Sequence, residues 1–373
     1  MARPDVAVVG GGVIGLSIAY HAARRGAKVT LLEAGGLGSG ASGAAAGMLN
    51  AQAESAGPGP FLDLQLAGRH AHRVLAAALY EETGLDPEYV WAGTLRVARS
   101  ESFEERLAAA YRWQRELGLP AEWLGGEAAR ELEPALAPAV RAALYLPEEG
   151  QVTPGRLVRA LALAAARRGA GLREQTRVTS LRVERDRVTG VETARGGVSA
   201  DSVVLAGGAE SAGLLSELGL ELPVRPVKGE ILAVQTTSPP VRSNVWDEGC
   251  YLVPKRDGRV IIGATEIPGK WDRRPALGGL ADLSGAARGL VPALSTAPVA
   301  EFWGGLRPST PSGQPVLGPV RELEGLLLAT GHHRNGILLS AITGEAISAL
   351  ALGDETAVDI SPFRYEEHLE AVK

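Results

Sequence analysis

The fold is decided by the stretch Val6-Ala7-Val8-Val9-Gly10-Gly11-Gly12-Val13-Ile14-Gly15. Its β-branched run predicts a buried strand, and the apolar positions after the glycines recur at helical spacing until Gly26. A second apolar run over 28–32 predicts another strand, which ends in Glu33. A strand, a tight turn, a helix and a second strand within about 30 residues predict a βαβ unit.

The glycines of this unit match the G-x-G-x-x-G pattern of dinucleotide-binding folds. Gly10 would make the tight turn, Gly12 would let a pyrophosphate approach the backbone, and Gly15 would let the helix pack closely on the strand. The N-terminus of the helix would then face the phosphates. Glu33 lies roughly 20 residues further on, where a carboxylate can accept hydrogen bonds from both ribose hydroxyls.

The fingerprint alone does not separate NAD from FAD. The Gly, Ala and Ser run over 35–47 follows the second strand, and such a backbone can lie against a bulky cofactor. A strand, turn and helix near the C-terminus are predicted to return to the same region. The chain has no second fingerprint for NADPH and no cysteine pair, which excludes flavin disulfide reductases. These features favour FAD.

The rest of the chain predicts an α/β protein, α+β overall, with two intertwined domains. Helices are predicted over 61–82, 102–117 and 337–352, and another begins with Thr153 as its N-cap. Strands are predicted over 177–183, 188–193, 202–206 and 326–329, and the region 222–303 is strand-rich. We expect a Rossmann-like FAD-binding domain from 1–75, 146–221 and 304–373. The inserted substrate-binding domain, from 76–145 and 222–303, would have a largely antiparallel or mixed sheet.

Composition excludes several classes of function. The net charge of −5 disfavours nucleic acid and anionic membranes as partners. Cys250 is the one cysteine, so an intrachain disulfide and a cysteine-based metal site are both impossible. Neither a membrane-spanning segment nor a signal peptide is expected, which predicts a cytoplasmic protein. A metal site is not expected either.

Several further motifs carry a family resemblance. They are Ala44-Ala45-Ala46-Gly47-Met48-Leu49, the run from Pro223 to Glu230, the run from Phe302 to Pro308, and the run from Gly331 to Ile337. With the N-terminal fingerprint, they resemble the D-amino-acid oxidase superfamily from end to end, and within it the bacterial glycine oxidases. The resemblance implies oxidation of glycine, sarcosine or small D-amino acids by hydride transfer to FAD. The products would be a 2-oxo acid, ammonia and hydrogen peroxide.

The resemblance also implies roles for particular residues. Arg307 would bind the substrate carboxylate, and Arg334 and Tyr251 would line the same pocket. A planar guanidinium can hold a carboxylate by two parallel hydrogen bonds, which lysine cannot do. The residues that would contact FAD are Val13, Ile14, Glu33, Ala34, Ala41, Ser42, Ala46, Gly47, Met48, Val178, His332, His333, Arg334, Asn335, Gly336, Ile337 and Leu338. The resemblance also implies that the protein takes part in thiamine biosynthesis. It further implies a homo-oligomer, specifically a tetramer.

Two positions depart from the family pattern. Gly249 stands where glycine oxidases can carry a histidine, and Glu266 stands where they can carry a methionine. Both are expected near the mouth of the pocket, so the preferred amino acid stays open. Two other functions also stay open, namely a D-amino-acid dehydrogenase that reduces quinone and a flavin-binding subunit of a larger complex.

FAD is predicted to bind without a covalent bond. Covalent flavoproteins of this kind attach the flavin through cysteine or histidine, and the run over 35–47 contains neither residue. Acid precipitation of the purified protein should therefore leave the yellow colour in the supernatant. A yellow pellet would contradict the prediction.

Overall fold

The computed structural model describes residues 3–370, and its strands form four sheets. The strands are β1 (Val6–Val9), β2 (Val29–Leu32), β3 (Met48–Leu49), β4 (Thr94–Ala98), β5 (Glu122–Gly125), β6 (Ala142–Leu146), β7 (Gly150–Gln151), β8 (Gly171–Arg173), β9 (Val178–Glu184), β10 (Arg187–Thr193), β11 (Val198–Ser199), β12 (Ser202–Leu205), β13 (Arg225–Gln235), β14 (Asn244–Trp246), β15 (Tyr251–Pro254), β16 (Arg259–Gly263), β17 (Ile267–Pro268), β18 (Val299–Ser309), β19 (Val316–Pro319) and β20 (Leu326–Thr330).

The α-helices connect and cover these sheets. They are α1 (Val13–Arg24), α2 (Ala41–Ala44), α3 (Pro60–Thr83), α4 (Glu101–Glu116), α5 (Gly126–Leu132), α6 (Pro154–Arg167), α7 (Ser211–Ser216), α8 (Leu277–Leu290), α9 (Gly336–Ala351) and α10 (Tyr365–Glu370). Among residues 3–370, no helix combines the length and the apolarity that are needed to cross a membrane.

The first large sheet has six strands in the order β19-β20-β12-β1-β2-β8. Strand β1 is central and runs parallel to both β12 and β2, and only the edge strand β19 runs antiparallel to its neighbour. All residues of β1 and β2 are buried, as expected for parallel strands that are covered on both faces. The predicted βαβ unit and the Rossmann-like sheet are confirmed.

The turn between β1 and α1 depends on two glycines. Gly10 has a φ of 111°, and a Cβ there would lie 2.5 Å from the carbonyl oxygen of Ala206 at the end of β12. A Cβ at Gly15 would collide with the carbonyl oxygen of Gly10. Larger residues at either position would therefore separate the helix from the sheet.

Helix α9 is buried along nearly its whole length, which explains why it lacks a polar face. It packs against α1, where Gly344 faces Ser17, and against α3, where Gly68 faces the carbonyl oxygen of Leu338. These small residues let the three helices approach closely. The contact places the N-terminus of α9 beside the turn that follows β1.

The second large sheet has nine strands, eight of them in the order β17-β13-β16-β15-β14-β4-β6-β5, while β18 pairs with β13. Most neighbours are antiparallel, but β14 and β4 are parallel. The sheet is thus mixed, and the predicted fold class is confirmed. A separate sheet of β11, β10 and β9 packs beside the first sheet.

Three local features differ from the sequence-based expectation. The strand-rich region also contains a helix, α8, whose apolar residues Leu283, Ala287 and Leu290 pack on the nine-stranded sheet. The strands β4, β5 and β6 were not among the predicted strands, and they extend that sheet through long-range pairing. Thr153 is the N-cap residue of α6 as predicted, but its hydroxyl donates to Glu88 Oε2 at 2.6 Å and accepts no backbone amide of the helix.

The contact between α1 and α9 yields a prediction about stability. Alanine usually stabilises an exposed helix by about 1 kcal/mol relative to glycine. A Cβ at Gly344, however, would overlap Ser17 Oγ, so we expect Gly344→Ala to destabilise the fold by about 1–3 kcal/mol through overpacking. Gly285→Ala is the matched control, because nothing lies within 4 Å of its added Cβ on α8.

Thermal unfolding of the two variants beside the unmodified protein would test this prediction. The midpoint should fall for Gly344→Ala and should be unchanged or rise for Gly285→Ala. Equal midpoints for the two variants would show that α1 and α9 can separate at little energetic cost.

Candidate functional site

A cavity of about 690 Å³ lies where several parallel strands of the six-stranded sheet end. Val9, Leu32, Ala206 and Thr330, which lie at or just beyond the carboxyl ends of β1, β2, β12 and β20, line it. Ligands of open α/β sheets bind at this edge. The cavity extends from there to the nine-stranded sheet, where Ile231 and Tyr251 form its far wall.

The predicted phosphate-binding turn forms one part of the cavity wall. Gly10, Gly12, Val13 and Ile14 line it, and Ser42 Oγ accepts the backbone N–H of Val13 at 2.9 Å. Amides in the first turn of a helix have no partner within that helix, so this end of α1 can bind an anion. Gly15 does not line the cavity, because it serves the contact between α1 and β1.

Glu33 lies at the end of β2 and lines the cavity as predicted. Its two carboxylate oxygens accept the backbone N–H groups of Gly11 at 2.6 Å and Gly35 at 2.7 Å. Each oxygen has a further lone pair for a ribose hydroxyl. Glu33 therefore also fixes the glycine turn and the start of the small-residue run.

The small-residue run over 35–47 follows the cavity and is not a free linker. Its cavity-lining members are Gly35, Ser39, Gly40, Ala41, Ser42, Ala44, Ala45, Ala46 and Gly47, and Ala34 and Met48 line the cavity on either side. The nine-stranded sheet packs closely on this run, since Trp303 Nε1 donates to the carbonyl oxygen of Ala44 at 3.1 Å. Close backbone approach to a long ligand is the arrangement expected for this composition.

The C-terminal turn and Val178 complete the cofactor side of the cavity. His332, His333, Arg334, Asn335, Gly336 and Ile337 all line it, and the last two belong to the first turn of α9. Leu338 does not line it and packs in the core instead. The structure thus brings together the predicted cofactor residues except Gly15 and Leu338, both of which support the site from behind.

Arg307 and Tyr251 meet at the other end of the cavity. Arg307 lies on β18, opposite Val227 of β13, and its guanidinium donates to the carbonyl oxygen of Thr265 at 3.1 Å. Gly229 leaves room for it, because a Cβ there would lie 2.5 Å from Arg307 Nη1. The side chain of Tyr251 lies beside this guanidinium, whose positive charge opposes the rise in the Tyr251 pKa that burial causes. No carboxylate among residues 3–370 forms an ion pair with Arg307.

Arg334 has a different environment from Arg307. Its guanidinium pairs with Glu54 Oε2 at 3.0 Å and lies 3.7 Å from Glu266 Oε1. It also lies over the ring of Trp246, at 5.0 Å from the ring centroid. Arg334 is therefore already neutralised, whereas the positive charge of Arg307 is available to a ligand.

Sequence reasoning missed Glu54. It lies in an irregular polar segment between β3 and α3, which has no periodic pattern or motif to indicate a role. The neighbouring amides of Gln52 and Ala53 donate to Glu149 Oε1 at 2.6 and 2.9 Å and hold this segment in place. Burial raises the pKa of the Glu149 carboxyl to about 7 despite these bonds.

Burial also determines the protonation of both histidines and of Tyr251 in the cavity. It lowers the pKa of His332 to about 3, and burial together with the Arg307 charge lowers that of His333 to about 4. Both histidines are therefore neutral at pH 7. Burial raises the pKa of Tyr251, so its hydroxyl keeps its proton and can donate a hydrogen bond. No cluster of residues suited to a metal ion occurs among residues 3–370.

A cavity that extends from a glycine-rich phosphate-binding turn to an unpaired guanidinium is typical of one class of protein. This class is the flavin-linked oxidoreductases that act on small acids. The family model described as "FAD dependent oxidoreductase" matches residues 5–350. Glycine oxidase of Geobacillus kaustophilus (strain HTA426) is 43% identical over 99% of this chain and 98% of its own length. Glycine oxidase of Bacillus subtilis (strain 168) is 35% identical over 99% of this chain and 98% of its own length.

The three-dimensional comparison agrees. The crystal structure of glycine oxidase from Geobacillus kaustophilus has a TM-score of 0.95 and 43% identity, and covers 98% of this chain and 99% of that chain. The protein belongs to the FAD dependent oxidoreductase family, and FAD is its cofactor. The glycine turn, the helix N-terminus and Glu33 fit the pyrophosphate and ribose of that cofactor.

Glu33 yields a prediction about cofactor affinity. Loss of its carboxylate in Glu33→Ala should weaken FAD binding by about 10–100-fold, since a hydrogen bond to a charged group contributes about 1.5–3 kcal/mol. Turnover of the fully loaded enzyme should stay close to normal, because Glu33 follows β2 of the six-stranded sheet, whereas Arg307 lies on β18 of the nine-stranded sheet.

Recovery of flavin fluorescence on dilution would measure the FAD dissociation constant. The matched control is Glu174→Ala, because Glu174 also accepts an amide of the loop after β2, that of Leu37 at 2.7 Å, but does not line the cavity. If both variants lose FAD equally, the loss reflects a disordered loop and not a contact with ribose.

Proposed function

We propose that the protein oxidises glycine, and also sarcosine and small D-amino acids, with FAD as the electron acceptor and oxygen as the final oxidant. The observation that carries this proposal is Arg307, a guanidinium in the cavity that pairs with no carboxylate among residues 3–370. Arg307 is half-buried, and a charge that is partly shielded from water favours a ligand that neutralises it. A small amino acid offers the planar carboxylate that this guanidinium can hold by two hydrogen bonds.

The identity of the relatives supports glycine as the substrate, because proteins named glycine oxidase match nearly the whole chain. In the proposed reaction glycine, oxygen and water give glyoxylate, ammonia and hydrogen peroxide. FAD supplies the two-electron oxidation when it is bound. The protein's own task is to bind the substrate, orient its Cα–H and exclude water.

The proposed roles follow from the surroundings of each residue. Arg307 binds the substrate carboxylate, and the protonated hydroxyl of Tyr251 donates a second hydrogen bond to it. Arg334 and Glu54 neutralise each other and form a rigid wall beside the substrate amine. Catalysis then depends mainly on orientation, for which a displacement of about 1 Å can cost about 100-fold in rate.

The N-terminus of α9 has a proposed electrostatic role. Gly336 and Ile337 line the cavity in the first turn of this long helix. The partial positive charge of a helix N-terminus stabilises negative charge that develops during a reaction. The buried imidazole of His72 on α3 contacts the carbonyl oxygen of Ile337 at 2.6 Å and fixes this turn.

The proposal extends to the division of the chain and to its context. Residues 1–75, 146–221 and 304–373 would form the cofactor-binding domain, and 76–145 with 222–303 the substrate-binding domain. We further propose a cytoplasmic homotetramer that serves thiamine biosynthesis. The last point is supported by a bifunctional protein ThiO/ThiG of Synechocystis, which is 37% identical over 98% of this chain and 54% of its own length.

The two alternatives differ in the fate of the electrons. A quinone-linked dehydrogenase would reduce a quinone analogue faster than oxygen, and a flavin-binding subunit would not oxidise glycine at all. Neither is favoured by the relatives that match the whole chain. Stoichiometric peroxide on adding glycine to the yellow protein in air would establish the oxidase.

The proposed roles predict unequal effects for Arg307 and Tyr251. Arg307→Ala leaves the substrate carboxylate unpaired, which costs about 3–5 kcal/mol and should lower kcat/KM by about 10²–10⁴-fold. Tyr251→Phe removes one hydrogen bond to a charged group, at most about 1.5–3 kcal/mol, and keeps the ring. This variant should stay active and lose mainly affinity.

Flavin bleaching in a single anaerobic turnover with saturating glycine would measure both variants. Their FAD content, from the visible absorbance, is the control for correct assembly. If Tyr251→Phe abolishes bleaching while Arg307→Ala barely slows it, Tyr251 is an acid–base group and catalysis by orientation is refuted.

A further inference from the structure

A second cavity, of about 420 Å³, lies beside the first. Tyr251 and Arg334 are walls of both cavities, so the second cavity adjoins the proposed substrate pocket. Arg96, Phe103 and Trp246 also line the second cavity. A substrate whose carboxylate is bound by Arg307 would therefore extend a longer substituent into the second cavity.

Arg96 is fixed in this cavity by two aromatic rings. Its guanidinium lies 5.2 Å from the ring centroid of Trp246 and 5.7 Å from that of Phe103. Cation–π contacts of this kind hold a guanidinium in place but satisfy none of its hydrogen bonds. The Nε atom of Arg96 is buried and has no hydrogen-bond partner within the described chain.

The other charged groups around the second cavity already have partners. Arg106 pairs with Glu248, and Asp247 pairs with Arg99. Glu266 lies within 3.3 Å of His333 and 3.7 Å of Arg334.

The remaining acids near Arg96 are Glu54 and Glu149. Glu54 pairs with Arg334, and Glu149 accepts two backbone amides. Neither forms an ion pair with Arg96, which leaves this guanidinium as the available cation of the second cavity within residues 3–370.

We propose that the second cavity is an anion-binding subsite in which Arg96 binds a second carboxylate of the substrate. The substrate class is an amino dicarboxylic acid whose first carboxylate lies on Arg307. This inference rests on the proposed function of the Arg307 pocket. The second carboxylate can be carried on the nitrogen, as in N-carboxymethylglycine, or on Cα, as in a D-amino acid with an acidic side chain.

Gly249 is one of the residues of the proposed subsite. It lines the second cavity without a side chain, and its backbone is held by Asp247 Oδ1, which accepts the N–H of Gly249 at 2.8 Å. Gly249 and Glu266, the two positions that depart from the family pattern, therefore both line the proposed subsite.

The first experiment uses the unmodified holoenzyme and pairs of substrates that differ only in charge. N-carboxymethylglycine is compared with its monoamide, and D-aspartate with D-asparagine, by peroxide formation. We expect the diacid of at least one pair to have a kcat/KM about 10–100-fold above that of its amide, the effect of one hydrogen bond to a charged group. The pair that responds identifies the position of the second carboxylate. Equal values in both pairs would overturn the proposal.

The second experiment compares Arg96→Met with the control Arg106→Gln, which also removes a positive charge from the second cavity. Arg96→Met should lower kcat/KM for the preferred diacid to the level of its amide, a loss of about 10–100-fold, and change that for glycine less than about 3-fold. Arg106→Gln should have little effect on either substrate. An equal loss for glycine and the diacid in Arg96→Met would mean that Arg96 is structural, and the subsite would be refuted.

A binding measurement separates this proposal from the proposed oxidation. Oxydiacetate and methoxyacetate lack an amine and differ in the second carboxylate, so calorimetric titration of the holoenzyme reports binding without turnover. Tighter binding of oxydiacetate that is lost in Arg96→Met would support the subsite even if glycine were not oxidised. Equal affinities would reject the subsite even if glycine were oxidised. If Arg96→Met does not fold, the comparison of the two ligands on the unmodified protein decides.

Discussion

The close approach of the β1–α1 turn to the end of β12 is the constraint on which the rest of the molecule depends. Only glycine fits at Gly10, where φ is 111° and a Cβ would meet the carbonyl oxygen of Ala206. The turn positions α1, α1 packs on α9, and α9 presents its N-terminus to the same cavity. A local restriction on one backbone torsion angle thus places both helix N-termini at the cofactor site.

The distribution of partners among the half-buried arginines determines what the cavity can bind. Two guanidinium groups, those of Arg307 and Arg334, lie near Tyr251, and Arg334 is neutralised by Glu54. Arg307 is neutralised by no residue of the described chain, and Arg96 is held between aromatic rings. Partly desolvated positive charges of this kind favour anionic ligands. The cavity is therefore suited to a substrate with a carboxylate, and the adjoining cavity to a longer one.

The supporting residues are as important as those that contact the ligand. Glu149 is fully buried and fixes the amides next to Glu54, which in turn pairs with Arg334. Glu33 connects the glycine turn to the small-residue run through two backbone amides. These bonds pre-organise the walls of the cavity, and a pre-organised site loses less entropy when it binds and orients a substrate.

The sequence by itself determined the βαβ unit, the glycine turn, Glu33 and most of the cofactor-lining residues, because these depend on local backbone geometry and strand–helix periodicity. It also indicated Arg307, Tyr251 and Arg334 through motifs that resemble a known family. Only the tertiary structure decided that Arg334 is paired and Arg307 is not, since Glu54 lies far from Arg334 in the chain. It alone revealed helix α8 and the cavity around Arg96, because their surroundings come from strands and loops that pair at long range. Local patterns specify turns and elements, whereas the charge balance of a site depends on which distant side chains meet there.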